Sequence, residues 1–287
     1  MIADAIGPVW EANYVWLIFV LVVLWTAFPT GFAQIMPTFI VPLTAVAMGV
    51  ILRGAAFAFR KSVTDVESAR VFGATFAASS VITPFFLGAV AGGIASGRVP
   101  ARGTGDLVTS WVNPTSMLGG TLAVLTCAYL AAVFLTADAE RRDLVGLVAY
   151  FRIRALTMAV VAGAAAVTGV FVLRADAPTL YDGLTDRGLG VVVGSVAAGV
   201  ASIGLLINHR YRRARVAAVL AVVAVIWGWA LGQYPDVLVD ELTIDQAAGA
   251  DATLTALMVS LGVGACLFGP ALAYLLVLNQ RGELDAD

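Results

Sequence analysis

Residues 18–39 run for 22 positions without a charge, and a helix needs about 20 mostly apolar residues to cross a bilayer. No water reaches the hydrocarbon core to satisfy free backbone groups, so such a stretch must be helical or belong to a closed barrel. Strand-like alternation is missing, which leaves the helix. Applied along all 287 residues, this reading predicts eight spans: 14–36, 39–57, 71–96, 115–136, 155–173, 188–207, 214–231 and 254–278. A short connection marked by Pro37 joins the first two. Composition agrees, since 13% charged against 60% hydrophobic residues would leave a soluble domain of this length without a polar surface. The expected class is an all-α, polytopic membrane protein. The Ala- and Gly-rich stretches 159–169 and 190–204 suit close helix packing.

Lys and Arg set the orientation. The segments 58–70, 137–154, 208–213 and the C-terminus, with Arg215, carry twelve basic residues. The opposite set carries only Arg98, Arg102, Arg174 and Arg187. This bias predicts that both termini are cytoplasmic and that the acidic loop with Asp236, Asp240, Glu241, Asp245 and Asp251 faces outward. The balance of 17 basic and 19 acidic residues argues against a nucleic-acid partner. The N-terminus lacks a basic n-region and a small-residue cleavage site, so no removable signal peptide is expected.

Residues able to carry chemistry are few. The single histidine, His209, lies in NHRYRRAR and reads as a solvated or headgroup-facing residue, whereas haem in a bundle needs axial ligands from facing helices. Cys127 and Cys266 sit in apolar runs without a CxxC and read as small core residues. No Walker motif, dinucleotide fingerprint or metal-ligand cluster occurs. The chain alone is therefore expected to bind no metal or haem and to catalyse nothing. Glu11, between Trp10 and Trp16, has two readings. It is either a first-turn acid favoured by the helix dipole or an ionisable group used at the membrane boundary. Arg53 is the only basic residue inside a span, and it either snorkels to the interface or pairs within the protein. Asn113 followed by Pro114 reads as an N-cap with proline at the first helical position. Thr83-Pro84 predicts a kink, and Trp227, Trp229 and Tyr234 an outer aromatic belt.

Six segments occur together: GPVWEANYVWL at 7–17, LRGAAFAFR with Arg53 and Arg60, SSVITPFFLGAVAGGIASG at 79–97, WVNPTSMLGG at 111–120, WGWALGQYPDVLVDELTI at 227–244, and ATLTALMVSLGVGACLFGPALAYL at 252–275. In this order they resemble subunit II of the cytochrome bd-type quinol oxidases. The resemblance implies two pseudo-symmetric helix bundles and a peripheral helix, here residues 1–98, 99–232 and 233–287. It implies a haem-bearing subunit I as partner, holding b-type haems, the d-type haem and the quinol site, and leaves room for small accessory subunits. The assembly would lie in the bacterial plasma membrane, oxidising quinol and reducing dioxygen to water. Glu11 matches a Trp-acidic-x-Asn position where a carboxylate leads cytoplasmic protons toward the haems. Asn13 would orient that carboxylate or cap the helix, Trp16 would flank an oxygen route, and Arg53 would support the site. Family members usually begin with a further helix ending in a Gly-Phe-Asp type motif, so the resemblance implies an incomplete first bundle here. A small secondary transporter is the competing reading. It would need a polar midplane site, for which only Thr75, Ser79, Ser80 and Thr83 cluster in one span.

Overall fold

The computed structural model describes the backbone of residues 10–60 and 65–281, with side chains for 15–60, 65–275, 277 and 278. The chain divides into two units, residues 1–33 with 244–287, and residues 34–243.

In the first unit, α1 (Trp10–Ala27) packs against α11 (Asp251–Arg281), which follows the short α10 (Ile244–Ala247). α1 stops because Phe28 precedes Pro29, and the proline ring disfavours helical geometry at the residue before it. The Ala27 carbonyl left at the helix end accepts the Gly249 N–H at 2.8 Å. A Cβ at Gly249 would stand 3.1 Å from the Thr26 carbonyl oxygen, so this close approach favours glycine. Beyond Pro29 comes α2 (Pro29–Thr38), with Pro37 inside it. The connection expected at Pro37 falls instead on the fully buried Phe39, and the stretch expected as one span is broken at Phe28.

The second unit holds α3 (Ile40–Arg60), α4 (Val66–Ala95), α5 (Pro114–Arg141), α6 (Val145–Asp176), α7 (Pro178–Thr185), α8 (Leu189–Ile207) and α9 (Tyr211–Gln233). A two-stranded antiparallel hairpin follows, β1 (Asp236–Leu238) against β2 (Leu242–Thr243). α4 packs between α3 and α5. α5, α6, α8 and α9 close a ring in which each helix touches the next, and α7 lies against α6, α8 and α9. Among the described residues, seven helices, α3, α4, α5, α6, α8, α9 and α11, are long and apolar enough to cross a membrane, and α1 adds a shorter apolar stretch over Val15–Ala27.

The helices outrun the apolar windows that reveal them. α6 has 32 residues where the apolar run suggested 155–173. Only residues 142–144 separate it from α5, because sequences such as ADAERR remain good helix formers after hydrophobicity ends. Starts follow local chemistry. The Asp65 carboxylate accepts the Ser68 N–H at 2.7 Å, and the Asn113 side-chain oxygen accepts the Ser116 N–H at 2.9 Å, with Pro114 opening α5 as expected.

Helix contacts depend on small residues at particular faces. A Cβ on Gly88 of α4 would strike the Gly119 carbonyl of α5, and one on Gly92 would stand 2.7 Å from Ser116 Cα. Gly183 of α7 meets the Gly232 backbone of α9 in the same way. By contrast, Gly163, Gly190, Gly194, Gly199 and Gly204 meet no described atom within 4 Å. These five glycines therefore make no close helix contact, whereas Gly169, at the end of the stretch 159–169, packs on Leu118 of α5, where a Cβ would stand 3.0 Å from the leucine Cδ2.

The ring's interior is built from Tyr129, Ala132, Val133, Ala137, Ala155, Leu206, Tyr211, Ala214 and Ala218. Its buried hydroxyls satisfy one another: Tyr129 Oη donates to Ser202 Oγ at 2.6 Å, and Ser202 Oγ donates to the Ala214 carbonyl at 3.1 Å. Cys127 and Cys266 are both exposed rather than in the core. An apolar sequence context marks lipid as readily as interior. Trp227 and Tyr234 are exposed as an aromatic belt requires, but Trp229 packs on Ala95, Ala177 and Leu180. Two positions along a helix turn a side chain by about 200°, which separates the two indoles.

Candidate functional site

The segment GPVWEANYVWL enters α1 at Trp10, so Glu11 and Asn13 fall in the first turn of that helix. Their side chains lie outside the described residues. Trp16, one turn further, is 56% exposed and meets Phe19 edge-on at 5.7 Å between ring centroids. Arg53 belongs to the other unit. It is half-buried on α3, with its guanidinium carbon 5.1 Å from the Phe76 ring centroid on α4. An aromatic face is therefore its recorded partner, a contact that suits a planar guanidinium. Phe59 stacks on Phe72 at 6.0 Å nearby, and Arg60 at the end of α3 is exposed.

Two charged networks escaped the sequence reading. Asp176, the last residue of α6, binds Arg98 through both oxygens, at 2.6 and 3.2 Å. It also accepts the Thr115 N–H at 3.0 Å and the Thr115 hydroxyl at 2.6 Å. One carboxylate thus joins the loop after α4, the start of α5 and the end of α6. At the other end of the ring, Asp138 of α5 pairs with Arg215 of α9 at 2.6 Å and with Arg141 at 3.4 Å. The Arg215 guanidinium lies 4.5 Å from the Phe134 ring centroid and donates to the Phe134 carbonyl at 3.2 Å. Arg152 of α6 caps α8, donating to the carbonyls of Leu206 at 3.0 Å and Ile207 at 3.1 Å. These carbonyls have no partner within their own helix.

The loops at the Asp176 end are locally organised. The Asp106 carboxylate accepts from the N–H groups of Thr109 and Val108 and from the Thr109 hydroxyl, which hold it below the usual carboxylate range. Glu241 accepts the Ala101 N–H at 3.0 Å, and Asp240 accepts the Thr179 hydroxyl at 3.0 Å. His209 is exposed in a left-handed turn with φ of 56°, its Nδ1 2.7 Å from Tyr211 Oη. Among the described residues, no three His, Cys, Asp or Glu side chains gather as a metal cage.

The glycine contacts between α4 and α5 fall in SSVITPFFLGAVAGGIASG and WVNPTSMLGG, two segments that carry the family resemblance. The family described as cytochrome bd terminal oxidase subunit II matches residues 1–278. The chain belongs to that family. The cytochrome bd ubiquinol oxidase subunit 2 of Bacillus subtilis (strain 168) is 30% identical over 139 residues, which are 47% of this chain. The match spans 41% of that relative's length, less than half of it. In the structure of bd oxidase from Geobacillus thermodenitrificans, a chain is similar with a TM-score of 0.74 and 25% identity, covering 96% of this chain and 85% of that one. As a member of the subunit II family, with seven span-length helices among the described residues, the chain is a multi-pass bacterial membrane protein.

Proposed function

We propose that this chain is the haem-free half of a quinol:dioxygen oxidoreductase, seated beside a haem-bearing subunit I that holds the b-type and d-type haems and the quinol site. The observation that carries this reading is the family match across residues 1–278. The place of the sole histidine supports it: His209 sits in an exposed turn against Tyr211, not on a helix facing another. In the assembled enzyme the haems supply the redox chemistry, and this chain supplies packing surface and a proton inlet.

Glu11 is the inlet. Reduction of dioxygen to water consumes protons in a low-dielectric interior, and a carboxylate at a helix mouth can take them from water on one side and pass them inward. The arginine imbalance supports a cytoplasmic mouth. Asn13, two residues on, orients the carboxylate or caps the helix. Trp16 flanks a route for dioxygen, and Arg53 holds a fixed positive charge near the end of α3.

Purification of the tagged chain from its host in mild detergent tests the reading. A partner of similar size and a reduced-minus-oxidised spectrum with a haem d band are expected. A colourless chain that purifies alone and moves a solute across liposomes would establish a secondary transporter instead. In the assembled enzyme, Glu11→Gln is expected to slow quinol-driven oxygen consumption by about tenfold or more while the haem spectrum stays intact. Unchanged turnover in a fully assembled variant removes the proton role.

A further inference from the structure

We propose that the turn joining α8 to α9, with the outward face of α9 below it, is a binding site for an anionic phospholipid.

The stretches 137–154 and 208–215 hold eight arginines against three acids, Asp138, Glu140 and Asp143. Several of these arginines are already engaged. Arg215 and Arg141 share Asp138. Arg152 is held by the end of α8. Arg154 donates to the Tyr150 carbonyl and lies 3.2 Å from that ring's centroid. Arg142 also has a partner. Arg210, Arg212 and Arg213 remain, all exposed, and none forms an ion pair with a described carboxylate. Three positive charges within four residues repel one another, and they stand where α9 begins, an end that disfavours cations. The arrangement calls for an anion of high charge density.

The surface below selects among anions. Tyr211, Ala214, Ala218 and Ala221 turn into the protein, so the opposite side of α9 faces out. On that side Val216, Leu220, Val223 and Trp227 are exposed in a column, and Ile207 at the end of α8 is exposed beside the turn. The spacing of three or four residues keeps the column on one face. Free phosphate would use only the arginines, whereas a phospholipid would set its headgroup on them and an acyl chain along the column. Charge complementarity and the continuous apolar strip below it favour the lipid.

The test uses the detergent-solubilised chain with whatever subunit it brings down. Binding of phosphatidylglycerol, phosphatidylcholine and inorganic phosphate is followed by native mass spectrometry and thermal shift. Phosphatidylglycerol is expected to bind the parent, and the combined Arg210→Gln, Arg212→Gln and Arg213→Gln variant on the order of a hundredfold more weakly. Phosphatidylcholine and phosphate should not distinguish the two. Phosphatidylglycerol with a photoreactive acyl chain should label residues 216–227. Equal phosphatidylglycerol binding by parent and variant overturns the proposal. So does competition by phosphate at matched concentration, or a label that lands on a partner subunit covering this face. Should the variant fail to accumulate, the position of the label on the parent decides alone.

Discussion

Gly88→Leu is expected to leave little folded chain in the membrane, while Gly194→Ala folds as well as the parent or better. Beyond the Gly119 carbonyl, a Cβ at position 88 would meet Ala123 Cβ at 2.8 Å. No side chain can rotate out of the way, because the obstacle is the backbone of α5. Between helices in lipid there is no hydrophobic drive to compensate, so packing itself holds the contact. Adding methylenes to a well-packed site already costs about 1–3 kcal/mol, and leucine here must slide one helix along another. Gly194 meets no described atom within 4 Å. At that position alanine gains up to about 1 kcal/mol of helix propensity. Extraction yield and thermal denaturation of both variants check the pair. Equal yields for Gly88→Leu and parent would show that α4 and α5 do not approach at this point.

Asp176→Ala is expected to lower stability by about 2–3 kcal/mol, short of the full cost of orphaning a buried charge because Arg98 keeps some contact with water. The side chains of Asp176 and Arg98 are 14% and 32% exposed. Four donor contacts converge on the carboxylate, one of them an N–H from the first turn of α5, where a negative charge is also favoured by the helix dipole. Its removal strands the guanidinium and the Thr115 N–H together. Arg98→Ala alone should cost less, since Thr115 would still hold the carboxylate. The double variant should fall short of the sum of the singles. Additive losses in thermal denaturation, or no loss for Asp176→Ala, would show that the network carries no coupling.

The contrast between Asn113 and Asp176 shows what a sequence can disclose here. An N-cap is a transaction between residues three apart, so Asn113-Pro114 announces the start of α5 unaided. Asp176 and Arg98 stand 78 positions apart, and nothing local marks either as the other's partner. The spans were legible because a bilayer imposes a length and a polarity on any chain that crosses it. Which side of a span meets protein was not. Gly88 and Gly194 sit in similar glycine-rich surroundings, and only the fold puts one against a carbonyl and the other against open space. The two cysteines illustrate the same limit, since apolar neighbours are as common toward lipid as toward a core. Glu11 was conspicuous as an acid at a membrane doorway, but its proposed task came from the resemblance, because a first-turn carboxylate is ordinary by itself.

Within the four-helix ring, neighbouring members differ greatly in reach. With a rise of about 1.5 Å per residue, α6 extends about 48 Å over its 32 residues and α8 about 28 Å over its 19. Hydrocarbon in a typical bilayer is about 30 Å thick. α6 can tilt or protrude in any membrane, whereas α8 is already at the limit. A thicker bilayer would therefore have to thin where α8 meets it, while α6 accommodates the same thickness by standing more upright.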